Sequence, residues 1–160
     1  MSASFTVEMI KKMYAWERFV QSEDFVPMME DVGIFYEEEG RYLVQDYRWR
    51  GNLERGFYSN VQSRGDSVIL NVGNRTSYAG FYNEGEESGP PPLTGNVKDW
   101  IEDHATDRQE GYVNKMHKAM NKGPALKNLK GYVDRMEQAG EQEGIMQLSF
   151  DQWLRRNNFS

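Results

Sequence analysis

The chain has 160 residues with 38% hydrophobic and 13% aromatic content, enough for one folded domain with a core of its own, so general disorder is excluded. A net charge of −6 and a pI near 5.0 lack the basic footprint of a dedicated nucleic-acid binder. The absence of cysteine excludes disulfides and thiolate metal sites. In chain order, Ser4 to Gln21 reads as an amphipathic helix. Met9, Met13, Trp16 and Val20, with Ile10 beside them, are expected to face the core, and Lys11, Lys12, Glu17 and Arg18 the solvent. Ser22 reads as the N-cap of a second helix, with Glu23 and Asp24 in its first turn and Pro27 early enough to be tolerated. That pattern runs from Asp24 to about Tyr47 through Met29, Val32, Phe35, Tyr36, Leu43 and Val44. Each of Gly33 and Gly40 costs a helix about 1 kcal/mol relative to Ala, which makes Gly40 a candidate break. Glu37, Glu38 and Glu39 read as a solvated face, because adjacent helical carboxylates point apart and do not converge on a metal.

The centre of the chain is a predicted hairpin. Phe57–Arg64 and Ser67–Val72 are strand-like runs separated only by Gly65 and Asp66, a two-residue turn in which Gly tolerates positive φ. Counting outward pairs Arg64 with Ser67, Ser63 with Val68, Val61 with Leu70 and Ser59 with Val72. This register collects Phe57, Val61, Val68, Leu70 and Val72 on one face. Those five, with Trp100 from a later helix, form the predicted hairpin core. The tripeptide Arg64-Gly65-Asp66 spells an adhesion motif, but the same residues make the turn the register requires, and the structural reading is preferred. A two-stranded hairpin is unstable alone, so helices must cover it or further strands extend it, including strands from another subunit.

Beyond the hairpin, Glu84 to Pro92 reads as an exposed acidic, proline-rich loop. Thr94 is expected to cap a helix from Gly95 to about His104, with Val97, Trp100 and Ile101 on one side. A longer helix is expected from Asp107 to Lys122, ended by Gly123-Pro124, and another from Ala125 to Ala139 with Leu126, Leu129, Val133 and Met136 inside. Ile145–Leu154 reads as one more short strand or helix. Helices, hairpin, helices make an α+β fold, a small antiparallel sheet on a central hairpin packed against several helices, spanning residues 1–160 as one domain.

Signals for chemistry are few. The two histidines, His104 and His117, lack metal-ligand spacing. Asp103-His104 near Asp107 reads as surface decoration in preference to an acid–base pair. No phosphate-binding glycine loop, nucleophile elbow or calcium loop is present, and the expectation is a non-enzyme without metal or cofactor. No apolar run approaches the ~20 residues that cross a bilayer, and the first residues lack the pattern of a secretory signal, so a cytoplasmic setting is expected. Asn74-Arg75-Thr76 and Asn158-Phe159-Ser160 match the glycosylation pattern by chance on that view. Lys115, Lys118, Lys122, Lys127 and Lys130, with His117, fall in a stretch free of acids between Glu110 and Asp134. It reads as a solvated face or as a basic contact surface for an acidic neighbour or DNA phosphate. Aromatics crowd the centre at Tyr47, Trp49, Phe57, Tyr58, Tyr78, Phe81 and Tyr82, more than one hairpin needs, and the surplus reads as interface anchors.

Gly51-Asn52-Leu53, a hairpin, Tyr78-Ala79 followed by Gly85, a proline-rich loop and a Val97-x-x-Trp100-Ile101 helix together resemble the head–tail joining, or tail-completion, neck proteins of long-tailed bacteriophages. These are often described as minor tail proteins. The likeness covers Arg50 to His104, about a third of the chain. It departs at Arg50, where the family usually has Thr, and at Asn83, which stands at the usual Glu position with Glu84 beside it. The resemblance implies a non-catalytic virion protein that assembles in the host cytoplasm into a homo-oligomeric ring, most simply six-fold, at the base of the capsid or on top of the tail. Its partners would be copies of itself and other phage connector and tail proteins, with DNA passing through without sequence-specific contact and no membrane involved. On this view Tyr78 and Phe81 anchor the interface, while Glu84, Glu86 and Glu87 meet Lys115, Lys118, Lys122, Lys127 and Lys130 across neighbouring subunits or a partner ring. The alternative, from another class, is a small adaptor or inhibitor that binds an acidic partner through the Lys115–Lys130 segment.

Overall fold

Gly33 and Gly40 lie seven residues apart, two turns of helix, and so share one face of α2 (Phe25–Val44). That face carries the hairpin. A Cβ at Gly33 would stand 2.7 Å from the side chain of Ser59, and one at Gly40 would meet the ring of Phe57. The glycines let a strand lie directly on the helix backbone. Gly40 is therefore not a break: α2 runs through it to Val44 and closes in a 3-10 turn, Gln45–Tyr47. Nor is Glu37 simply solvated, since it pairs with Arg41 at 2.7 Å and accepts a 2.7 Å hydrogen bond from Ser59 Oγ.

The computed structural model describes residues 7–47, 51–85, 90, 91, 93–120 and 128–158. In chain order these give α1 (Val7–Val20), α2, α3 (Asn52–Arg55), β1 (Phe57–Arg64), β2 (Ser67–Asn74), α4 (Ala79–Glu84), α5 (Gly95–His104), α6 (Tyr112–Ala119), α7 (Tyr132–Glu143) and α8 (Ile145–Arg156). The fold is α+β: one antiparallel hairpin among helices. β1 and β2 pair in the register read from the sequence, from Arg64 opposite Ser67 through Val61 opposite Leu70 to Phe57 opposite Asn74. Gly65 supplies the positive φ, +55°, that the turn demands.

Two apolar clusters hold the chain. The larger gathers Val44, Leu53, Phe57, Ile101, Leu129 and Tyr132 around the hairpin's base. In the smaller, Phe19 meets Phe25 edge-on at 5.2 Å and also packs on Phe150 and Trp153. Trp153 Nε1 donates to Asp24 Oδ2 at 3.0 Å and ties α8 to the start of α2.

The expected core stripe of α1 is shifted by a rotation of the helix. Ala15 and Phe19 point inward and Trp16, though 39% exposed, meets Phe150 edge-on at 4.9 Å, whereas Met13 is 60% exposed and Val20 also reaches solvent. Ser22 caps nothing ahead of it; its hydroxyl donates back to Phe19 O at 2.6 Å, and Asp24 takes the N-cap position of α2 without a side-chain capping bond, its carboxylate accepting from Trp153. Thr94 likewise stands at the N-cap of α5 without a side-chain capping bond, its carbonyl accepting from Lys98 N at 2.9 Å. The helix expected from Asp107 starts five residues later, after Gly111 at φ +79°. The next is interrupted by Gly131 at φ +69°, so α7 begins at Tyr132. Tyr132, not the exposed Val133, then joins Leu129 and Met136 inside. Leu126, at the expected start of that helix, and Trp49 lie outside the described residues. Ile145–Leu154 is helical, within α8. Among the described residues no helix is long and apolar enough to cross a membrane.

Candidate functional site

Two concavities flank the hairpin's base. The first is a cleft of about 260 Å³ formed where the end of α2, α3, α4 and α5 converge. Helical spacing builds its walls: Tyr78 and Tyr82 are four apart, and Val97, Trp100 and His104 recur at three and four on α5. Tyr78 and Tyr82 meet edge-on at 5.9 Å, and Trp100 stacks on the His104 ring at 4.3 Å with only 16° between planes. His104 Nδ1 lies 2.9 Å from Trp100 O. A carbonyl can only accept, so that nitrogen carries the proton. Burial pushes the hydroxyls of Tyr78 and Tyr82 above the ordinary tyrosine value, with Tyr82 adding to the effect on Tyr78. Both stay neutral donors at physiological pH. Asp46 and Glu54 supply carboxylates, and among the described residues the lining holds no Ser, Thr, Cys or Lys. Aromatic walls with carboxylates at the edge suit a flat or cationic group. No cluster of His, Asp or Glu that could hold a metal occurs among the described residues.

The second concavity, about 500 Å³, runs between β2 and α7. Phe57, Leu70, Val72, Tyr132 and Met136 line it, with Tyr36 and Glu137 at the α7 side. Tyr36 reaches this position because Gly140 leaves room for its hydroxyl. Burial, then the charges of Glu137 and Glu141, raise its pKa above the ordinary value.

The residues expected at an interface scatter. Tyr78 and Phe81 are only 9% and 7% exposed, so they belong to the chain's own core and are unavailable as anchors. Glu84, Lys115, Lys118 and Lys130 are exposed, while Glu86, Glu87, Lys122 and Lys127 lie outside the described residues. Two contacts bring the acidic loop and the lysine segment together within one chain, where the sequence suggested a meeting between subunits. The stem of Lys130 runs over Gly85, at which a Cβ would stand 2.8 Å away. At the loop's other end His117 Nε2 is 2.6 Å from the carbonyl of the buried Pro91. Gly131 N donates to Asn83 O and Val133 N to Asn83 Oδ1, fixing α4 to the start of α7. Of the expected hairpin core, Phe57 is buried and Val61, Val68, Leu70 and Val72 are half-buried. Trp100 is half-buried against the same apolar cluster as Phe57 and Val72, and it also lines the aromatic cleft.

The chain matches no family model, no curated protein and no solved structure. What the sequence did not reveal is the role of Gly33, Gly40 and Gly140. The seven-residue spacing of the first two inside an otherwise good helix was the available signal.

Proposed function

We propose that the chain is a structural protein of a long-tailed bacteriophage virion, a neck component whose copies form a ring at the head–tail junction and join the connector to the tail. The observation that carries the reading is the ordered set of motifs around the hairpin, from Gly51-Asn52-Leu53 to Trp100-Ile101. Two further features support it. The hairpin has two strands and no third among the described residues, and open strand edges invite pairing with another chain. The outward face of α1 exposes Ile10, Met13 and Tyr14 at 42%, 60% and 65%, a patch of the kind that neighbours cover in assemblies. A ring repeats a heterologous contact, one face of each copy against a different face of the next, and this molecule offers such distinct faces. The DNA that passes through such a ring is contacted without base recognition, as the net charge of −6 suits. Deleting the gene in the phage that carries it should leave filled heads and separate tails that fail to join. Joined, infectious particles lacking this chain would overturn the reading.

A further inference from the structure

We propose that the groove between β2 and α7 is a docking site for an extended, apolar segment of another protein, which joins the hairpin as a third strand along β2. That the segment comes from a neighbouring virion protein rests on the neck reading above; the site itself rests on geometry. In a two-residue hairpin the residues flanking the turn form a hydrogen-bonded pair, and bonded and non-bonded pairs then alternate along the ladder. Starting from Arg64 and Ser67, the observed register makes Ile69, Asn71 and Gly73 the residues that bond to β1. Val68, Leu70 and Val72 therefore direct their own N–H and C=O groups away from it, toward the open side. No backbone hydrogen bond from the described residues reaches them there.

The groove lies along that edge. Its lining on β2 runs from Leu70 to Asn74, about 17 Å of strand at ~3.4 Å per residue. Its floor is apolar: Phe57, Val72, Tyr132 and Met136. An added strand would place alternate side chains into this floor while its backbone bonded to Leu70 and Val72. Strand addition takes affinity from the backbone bonds and specificity from the pockets. On the far wall Glu137 lines the groove, and Asp134 and Glu141 are exposed on the same helix, so the segment carries a basic residue on that side.

The described residues do not supply the occupant. Among the described residues the only extended runs are β1 and β2. Their apolar face is covered by α2, through Gly33 against Ser59 and Gly40 against Phe57. A second copy's β1 or β2 would bring with it the α2 already packed on the face that must meet the groove floor. A strand without a helix on its inner face fits.

The probe is the hexapeptide Lys-Val-Thr-Val-Thr-Leu, blocked at both ends and labelled, titrated into the full chain by fluorescence anisotropy. A second version carries N-methyl groups on alternate amides, which keeps the side chains and removes the ladder. The expected result is saturable binding, slowed hydrogen exchange at the Leu70 and Val72 amides, and a loss of about tenfold or more with the methylated peptide. Glu137→Lys should weaken binding similarly, and Val133→Arg, at an exposed rim position, should abolish it, both with unchanged melting temperature. No binding, or equal binding by both peptides, overturns the proposal. So does a Val133→Arg protein that loses self-association, because a second copy would then be the occupant. Rings built from copies that ignore the peptide would remove the docking site and leave the neck reading standing. Peptide binding by a chain that virions do not contain would do the reverse.

Discussion

Gly40→Ala should destabilise the protein, although helix propensity alone argues the opposite. In an exposed helix the change is worth about 1 kcal/mol in favour of Ala. Here the new Cβ would stand 2.7 Å from Cδ1 of Phe57, against ~3.5–4.0 Å for an ordinary carbon contact. The strand must lift by about 1 Å or the ring must leave its rotamer. Phe57 is 5% exposed and held edge-on by Tyr132 at 5.9 Å, so turning its ring would break that contact. Overpacking of this kind costs ~1–3 kcal/mol, and a rigid ring belongs at the upper end. The net loss is then about 1–2 kcal/mol, or roughly 3–6 °C in Tm for a chain of this size. Urea denaturation followed by tryptophan fluorescence measures it. Gly80 provides the control. It lies in α4 with nothing within 4 Å of its Cβ position, so Gly80→Ala should stabilise by up to about 1 kcal/mol. If Gly40→Ala stabilises as much as Gly80→Ala does, the close approach of β1 to α2 is not the reason for Gly40.

Leu70→Asp puts a charge between β2 and Gly33 and should cost about 2–4 kcal/mol, whereas Asn60→Asp on the exposed face should stay within ~0.5 kcal/mol; matching melts for the two would refute the hairpin's sidedness. Burial holds the hydroxyls of Tyr36, Tyr78, Tyr82 and Tyr132 above 10.0. Their contribution to stability is therefore complete below that pH and falls as pH rises past it, because the unfolded chain releases its protons first. A tyrosine absorbance titration should show a late group that titrates with unfolding, and a single early wave for every tyrosine would contradict it. Reversing Lys115 and Lys118 to Glu should leave the folding free energy within ~0.5 kcal/mol of wild type and, on the neck reading, slow head–tail joining at low salt. An unchanged joining rate at every salt concentration would mark the α6 lysines as merely solvated.

The hairpin was legible because a tight turn fixes register and alternation fixes the face, both within eighteen residues of chain from Phe57 to Asn74. α1 was not, because it is apolar on two sides. Met9, Met13, Trp16 and Val20 make the longer stripe, yet Phe19 meets three rings of α2 and α8 and Trp16 only one, Phe150. Glycine was ambiguous for a physical reason. The residue that breaks α7 from the preceding turn at Gly131 through positive φ is the same residue that permits contact at Gly40 through its missing Cβ. The aromatic cleft and the β2–α7 groove draw on four or more elements each, and no local pattern announces such convergence.

The small cluster sets an order of events during synthesis. Phe19 and Phe25 emerge early from the ribosome, but the surfaces that cover them, Phe150 and Trp153, are made more than a hundred residues later. The Trp153–Asp24 bond closes a span of 129 residues. At ~5–20 residues per second, the inner face of α1 stays uncovered for several seconds after it leaves the tunnel. The hairpin and α2 can meet within that interval, since Gly33 and Leu70 are close neighbours in sequence by comparison. The contact of α1 with α8 is therefore the last to become available, and until then Phe19 has only its near neighbours Trp16 and Phe25 among the rings of that cluster to pack against.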